Sequence, residues 1–255
     1  MTRFSRSDDL RGATFHDTNL TGARFLGADL TDVVMRGVEV RRTEIDSPWL
    51  ADEENVVLVN GVDVVPLVEA ELDRRFPGRE DRRAPDPASL RAAWAAVEGT
   101  WAATLERATA MPAGAVDESV DGEWSFAQTL RHLVLATDVW LRRAILELEQ
   151  PYHPLGIANP EAEEDGLDVS VFTTETPSYD EVLEARAGRV AMVRDFIATV
   201  TPEELAVARK NPWSPDHPET TLSCLHVILE EEWEHHRYAV RDLDTIAARE
   251  RPPSA

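Results

Sequence analysis

Three spacings of apolar residues succeed one another along this chain, and each predicts a different kind of structure. In the first 45 residues a large apolar side chain returns every five positions, at Leu10, Phe15, Leu20, Phe25, Leu30, Met35, Val40 and Ile45. Two residues before each stand Asp8, Ala13, Thr18, Ala23, Ala28, Val33, Val38 and Thr43, most of them small or compact. A helix repeats every 3.6 residues and a strand every two, so neither fits. A square coil with one side per repeat does, its apolar residues stacked up the inside. Next comes NVVLV-NG-VDVV, where Asn60-Gly61 between two β-branched runs predicts a type I′ hairpin. Pro66 then opens a short helix that ends near Phe76, and residues 79–87, REDRRAPDP, read as a linker.

From there the spacing becomes that of amphipathic helices, at about 88–109, 125–148, 179–200 and 220–247. Leu90, Trp94, Val97, Trp101 and Leu105 form the stripe of the first, which Asp86 caps and Pro87 opens. Ser125 with Gln128, and Ser178 with Glu181, predict capping boxes for the second and third. A loop near 149–177 and a minor helix at Thr201-Pro202-Glu203 fill the connections. Four long helices with one long crossover predict a mainly α protein built on a four-helix bundle. The expected divisions are 1–47, 48–85 and 86–255.

The fourth helix carries the candidate chemistry. Its stripe runs Leu222, Leu225, Leu229, Glu232, His236, Val240, Leu243, which puts a carboxylate and an imidazole where Leu is expected. An isolated buried carboxylate costs several kcal/mol unless it is paired or bound to a metal. Glu232 and His236 are one turn apart, so both reach one ion. His132 in the second helix stands away from the polar stripe Arg131, Asp138, Arg142 and is the candidate third ligand. Three protein ligands leave a coordination position open, as catalytic sites do. In the third helix Arg186 and Arg189 fall among Val182, Val193 and Ile197, the pattern of a clamp for a substrate carboxylate or of buried ion pairs. His235 falls at the edge of the fourth helix and is expected in solvent, as is most of the acidic run Glu230–Glu234.

Composition narrows the function classes. A net charge of -22 argues against nucleic acid and anionic membranes as partners. Cys224 is the only cysteine, so no internal disulfide exists, and a reducing, cytoplasmic location is expected. The first residues have no apolar core, so no signal peptide is expected, and no apolar run is long enough to span a bilayer. HExxH is absent, which leaves a zincin protease unsupported.

Two resemblances add to this. The units ATFHD, TNLTG, ARFLG and ADLTD resemble the pentapeptide-repeat family. That resemblance implies a short right-handed β-helix of about two coils. GEWSFAQTLRHL and LHVILEEEWEHHRYAVRDLD resemble the DinB-like family of metal-binding four-helix bundles, over roughly residues 86–247. Many members of that family carry three histidines. Here Glu232 stands one turn before His236, which resembles the His-Glu-His zinc site of the mycothiol-dependent maleylpyruvate isomerase branch. The resemblance implies His132, Glu232 and His236 as ligands to zinc, with nickel also compatible. It implies thiol transfer or thiol-assisted isomerisation, with mycothiol or a similar small thiol as cosubstrate and an electrophilic second substrate. Bundles of this family often pair, so a homodimer is compatible with it. The alternative is a non-catalytic metal-binding or interaction module with the pentapeptide segment as its contact surface.

Overall fold

Left-handed backbone returns every five residues through the N-terminal repeats, at Gly12, Asp17, Gly22, Gly27, Asp32, Gly37 and Arg42. The structure, a computed structural model, describes residues 3–5, 7–52, 55–159, 162, 163 and 166–249. The expected divisions 1–47, 48–85 and 86–255 therefore each include a few positions outside the described residues, as does the acidic stretch of the 149–177 loop. Two compact units divide the chain, Met1–Asp46 and Ser47–Ala255.

In the first unit the amides of Ala13, Ala23 and Val33 close tight turns on the carbonyls of Leu10, Leu20 and Leu30, at 3.0, 2.9 and 3.1 Å. Asp9, Asn19 and Asp29 accept the amides of Arg11, Thr21 and Thr31, the local bonding that suits Asn and Asp to turns. The apolar series is not stacked inside, as the spacing predicts. Leu10, at 45%, is its least exposed member, and Ile45, at 63%, its most exposed. Eight repeats make only about two coils, so each side chain has too few neighbours to be covered. No strand occurs among the described residues of this unit.

The second unit is mainly helical and opens with a small antiparallel hairpin, β1 (Leu58–Val59) and β2 (Val62–Asp63). Asn60 and Gly61 turn it with φ of 51° and 82°, as the type I′ signal requires. Helix α1 (Val65–Arg75) follows. Residues 79–83, expected as linker, instead form a tight 3₁₀ turn packed against the helices. Its Arg79 is buried because three carboxylates compensate it: Asp73 at 2.7 Å, Glu69 at 2.9 Å and Glu234 at 3.3 Å. Gly78 makes this turn fit. Its φ is +98°, and a Cβ there would lie 2.9 Å from the Cβ of Ala96.

Four long helical elements share one core: α2 (Pro87–Thr109), α3 (Phe126–Thr137), α4 (Tyr179–Thr199) and α6 (Thr221–Arg249). The short α5 (Pro202–Leu205) lies between α4 and α6. Helices α2 and α3 each pack on both α4 and α6. Leu90, Trp94, Leu133, Val193, Leu229 and Trp233 are among the residues that fill the interior. The expected caps are present. Asp86 accepts from Ala88 and Ser89, and Ser125 and Ser178 form reciprocal boxes with Gln128 and Glu181.

The second helix departs from its expected form. It is α-helical through Thr137 and then π-helical over Asp138–Ile145, where the Leu146 amide reaches back five residues to the Leu141 carbonyl. A second hairpin, β3 (Ala208–Arg209) with β4 (Glu219–Thr220), precedes α6. Its two-residue strands are too short for any periodicity to announce them. No helix of the described residues is long and apolar enough to cross a membrane.

Inside the core one ion pair is nearly free of solvent. Arg186 of α4 donates from Nη2 to Oε2 of Glu232 on α6, with side-chain exposures of 4% and 1%. Burial pushes the Glu232 carboxyl above its ordinary range, and the Arg186 guanidinium opposes that shift. Removing one partner of such a pair strands the other charge, at a cost of about 3–5 kcal/mol. Arg186→Met should therefore lower the unfolding free energy by about that much in urea titrations. Arg186→Met combined with Glu232→Leu should recover most of the loss.

Candidate metal centre

Helix α6 presents two Glu/His pairs, each spaced by four residues and offset from the other by one. The offset turns them about 100° apart around the helix axis, so they meet different neighbours. Glu231 and His235 look toward α3. There they meet His132, whose Nε2 lies 3.3 Å from Oε2 of Glu231. Nε2 of His235 lies 3.1 Å from the same oxygen. One ligand atom from each of His132, Glu231 and His235 falls within 4.8 Å of the others, the one such cluster among the described residues.

The chemistry of this trio fits a divalent ion. Donors bonded tetrahedrally to zinc at about 2.0–2.2 Å lie about 3.3–3.6 Å apart, within a few tenths of an ångström of both imidazole–carboxylate separations. His132 is oriented from behind, since its Nδ1 lies 3.4 Å from the Ile157 carbonyl. A proton on Nδ1 leaves Nε2 as the donor atom, the usual arrangement behind a metal-binding imidazole. The loop holding Ile157 is tied to α3, because Arg131 Nε donates to the Leu155 carbonyl at 2.8 Å. Burial alone would raise the Glu231 carboxyl, but hydrogen bonds from His132 and His235 hold it far below the carboxylate range when their Nε2 atoms carry the protons that a bound ion would displace. Burial lowers the pKa of His235. Both shifts favour the forms that bind metal, an ionised carboxylate and a neutral imidazole.

Of the three expected ligands only His132 stands in this cluster. Glu232 is turned toward α4 and held there by Arg186. His236 is buried with Nε2 2.8 Å from Thr104 Oγ1, edge-on to Trp101 and Phe76. Desolvation there pushes its pKa down to about 4. The expectation of a solvated His235 is also corrected. Its side chain is only 16% exposed, because α6 is buried on more than the single stripe that its leucines mark. The two arginines do not offer a free anion clamp. Arg186 serves Glu232, and Arg189 forks onto Asp138 at 2.8 and 3.2 Å. Asp138 also accepts the His153 amide at 2.7 Å.

Trp124 is part of the site and carried no periodic signal. It sits one residue before the Ser125 cap of α3, after left-handed Asp121 and Gly122. Its ring centroid lies 4.6 Å from that of His132 and 6.1 Å from that of His235. With Tyr238, Glu123 and Asp242 it walls a cavity of about 270 Å³ that opens beside His235.

Two family models match the chain. The model of the DinB superfamily matches residues 96–239, more than half of the chain and all three residues of the cluster. The chain belongs to the DinB superfamily. Eight pentapeptide repeats match over residues 9–43. No curated protein and no solved structure matches the chain. The superfamily match covers α6 as far as Ala239, both Glu/His pairs included, and does not choose between them. Substitution does choose. His132→Ala, Glu231→Gln and His235→Ala should each abolish binding of one zinc or nickel ion per chain in elemental analysis, whereas His236→Gln, which leaves the Arg186–Glu232 pair in place, should retain it. Nickel should also quench the emission of Trp124, so Trp124→Phe should lose less fluorescence on nickel titration than the wild type.

Proposed function

We propose that this DinB superfamily protein is a metal-dependent enzyme that activates a small thiol for transfer to, or isomerisation of, an electrophilic substrate. The observation that carries this reading is the convergence of His132, Glu231 and His235 beside a cavity. On this reading the four long helices are the bundle of the superfamily, and the expected ligand set moves by one residue along α6. The bound ion, zinc or nickel, would supply positive charge that lowers the pKa of a thiol, ordinarily near 8.5.

The chain's own residues do the rest. Glu231 would bring one negative charge to the ion and is kept ionised by its neighbours. His132 is aimed by the Ile157 carbonyl and His235 by its place one turn from Glu231. Trp124 lies over both imidazoles and narrows the approach to them. The cavity is open enough for the thiol proton to leave to solvent, and the sulfur then attacks an electrophilic carbon. Mycothiol or a similar thiol is the proposed cosubstrate.

The zinc-loaded protein should accelerate the reaction of a small thiol with 1-chloro-2,4-dinitrobenzene, in which a C–S bond forms as chloride leaves. Glu231→Gln should bring the rate to that of the uncatalysed mixture. A full rate in Glu231→Gln would end this reading.

A second reading, an interaction module, is favoured by the exposed apolar series of the repeats. It predicts that deletion of residues 1–46 abolishes a binding activity while leaving metal content unchanged in elemental analysis.

A further inference from the structure

The cavity beside the metal cluster has a charge pattern of its own. Two carboxylates line it together with His235: Glu123 from the loop before α3, and Asp242, two turns along α6 from His235. One guanidinium serves both. Arg241 forks onto Asp242 at 2.7 and 3.2 Å and donates from Nη2 to Glu123. Arg241 and Arg237 also lie over the ring of Tyr238, at 5.1 and 4.4 Å from its centroid, and Arg237 is matched by Glu234 at 2.8 Å. With Arg237 matched by Glu234, the cavity and the cluster bring three carboxylates, Glu123, Asp242 and Glu231, against the one remaining cation Arg241 among the described residues. A divalent ion makes that sum zero, and a bound thiolate makes it negative again.

We infer that this cavity takes a thiol whose far end carries an ammonium or hydroxyl hydrogen-bond donor, and that it discriminates against a thiol ending in a carboxylate. The inference rests on the metal-and-thiol reading above and adds the class of cosubstrate. Glu123 and Asp242 supply acceptor oxygens a few ångströms from one another, because they share one arginine. Each retains an acceptor lone pair that Arg241 does not fill. Trp124 and Tyr238 supply aromatic walls to the same cavity. A donor at the far end of a short thiol meets those acceptors, and a carboxylate meets like charge in a partly desolvated space.

The test uses the full chain loaded with cobalt(II), whose visible absorption reports both occupancy of the site and arrival of a sulfur ligand. Cysteamine, 2-mercaptoethanol and 3-mercaptopropionate are titrated into wild type, Glu123→Gln, Asp242→Asn and Glu149→Gln. Glu149 is an exposed carboxylate outside the cavity and controls for the general field of an acidic protein. In the wild type the apparent affinity should fall in the order given, with about a tenfold gap between cysteamine and 3-mercaptopropionate. Part of that gap belongs to the thiols themselves, so the decisive quantity is its change. The gap should shrink severalfold in Glu123→Gln and in Asp242→Asn, and stay at the wild-type value in Glu149→Gln. A gap that is unchanged in both cavity variants, or that shrinks equally in Glu149→Gln, overturns the inference while leaving the thiol reading intact. Cobalt that does not bind, or a spectrum that no thiol alters, overturns the thiol reading itself and this inference with it.

Discussion

The buried pair between Arg186 and Glu232 fixes the rotation of α6 about its own axis, and the rest of the site depends on that angle. Glu232 is almost fully enclosed and has one compensating charge, on α4. With that carboxylate anchored, His236 turns to Thr104 of α2. Glu231 and His235, one residue earlier in each case, must then look toward α3 and His132. A rotation of α6 by one residue that turned Glu232 toward His132 would bring Trp233 toward Arg186 and leave that buried guanidinium without its carboxylate, which is why a single arrangement is selected.

Around that anchor the site is assembled from pieces with different origins. Helix α3 brings His132, and its capping box fixes the residue before the Ser125 cap, Trp124, close to the imidazoles. The loop after α3 brings a backbone carbonyl to Nδ1 of His132, and Arg131 holds that loop in place. The π-helical continuation of α3 carries Asp138 into the interior, where Arg189 compensates it. Each buried charge in these helices is met by an opposite one, so the acidic excess of the chain is carried mainly on its surface.

Much of this was legible in advance, and the reasons differ by element. The caps at Asp86, Ser125 and Ser178, the Asn60-Gly61 turn and the four long helices follow from local bonding and spacing, which need no knowledge of neighbours. His132 was legible because it lies off the polar stripe of its helix. The choice between Glu231/His235 and Glu232/His236 was not. Both pairs have the same four-residue spacing, and α6 is buried over a wide arc, so a stripe drawn through leucines finds only its centre. The exposed apolar series of the repeats shows the opposite failure. The period is real and the turns are present, but a period does not say that enough coils exist to cover the side chains.

The sequence by itself determined the helices, their caps, the five-residue turns and the presence of glutamate and histidine doublets one turn apart on the last helix. These are local matters, set within a few residues by backbone geometry and hydrogen bonding. Only the tertiary structure decided which member of each doublet faces His132 and which is spent on the core. That choice rests on where Arg186 and Thr104 lie on two other helices, and on the cost of leaving a carboxylate buried without a partner. No spacing along one chain segment encodes it.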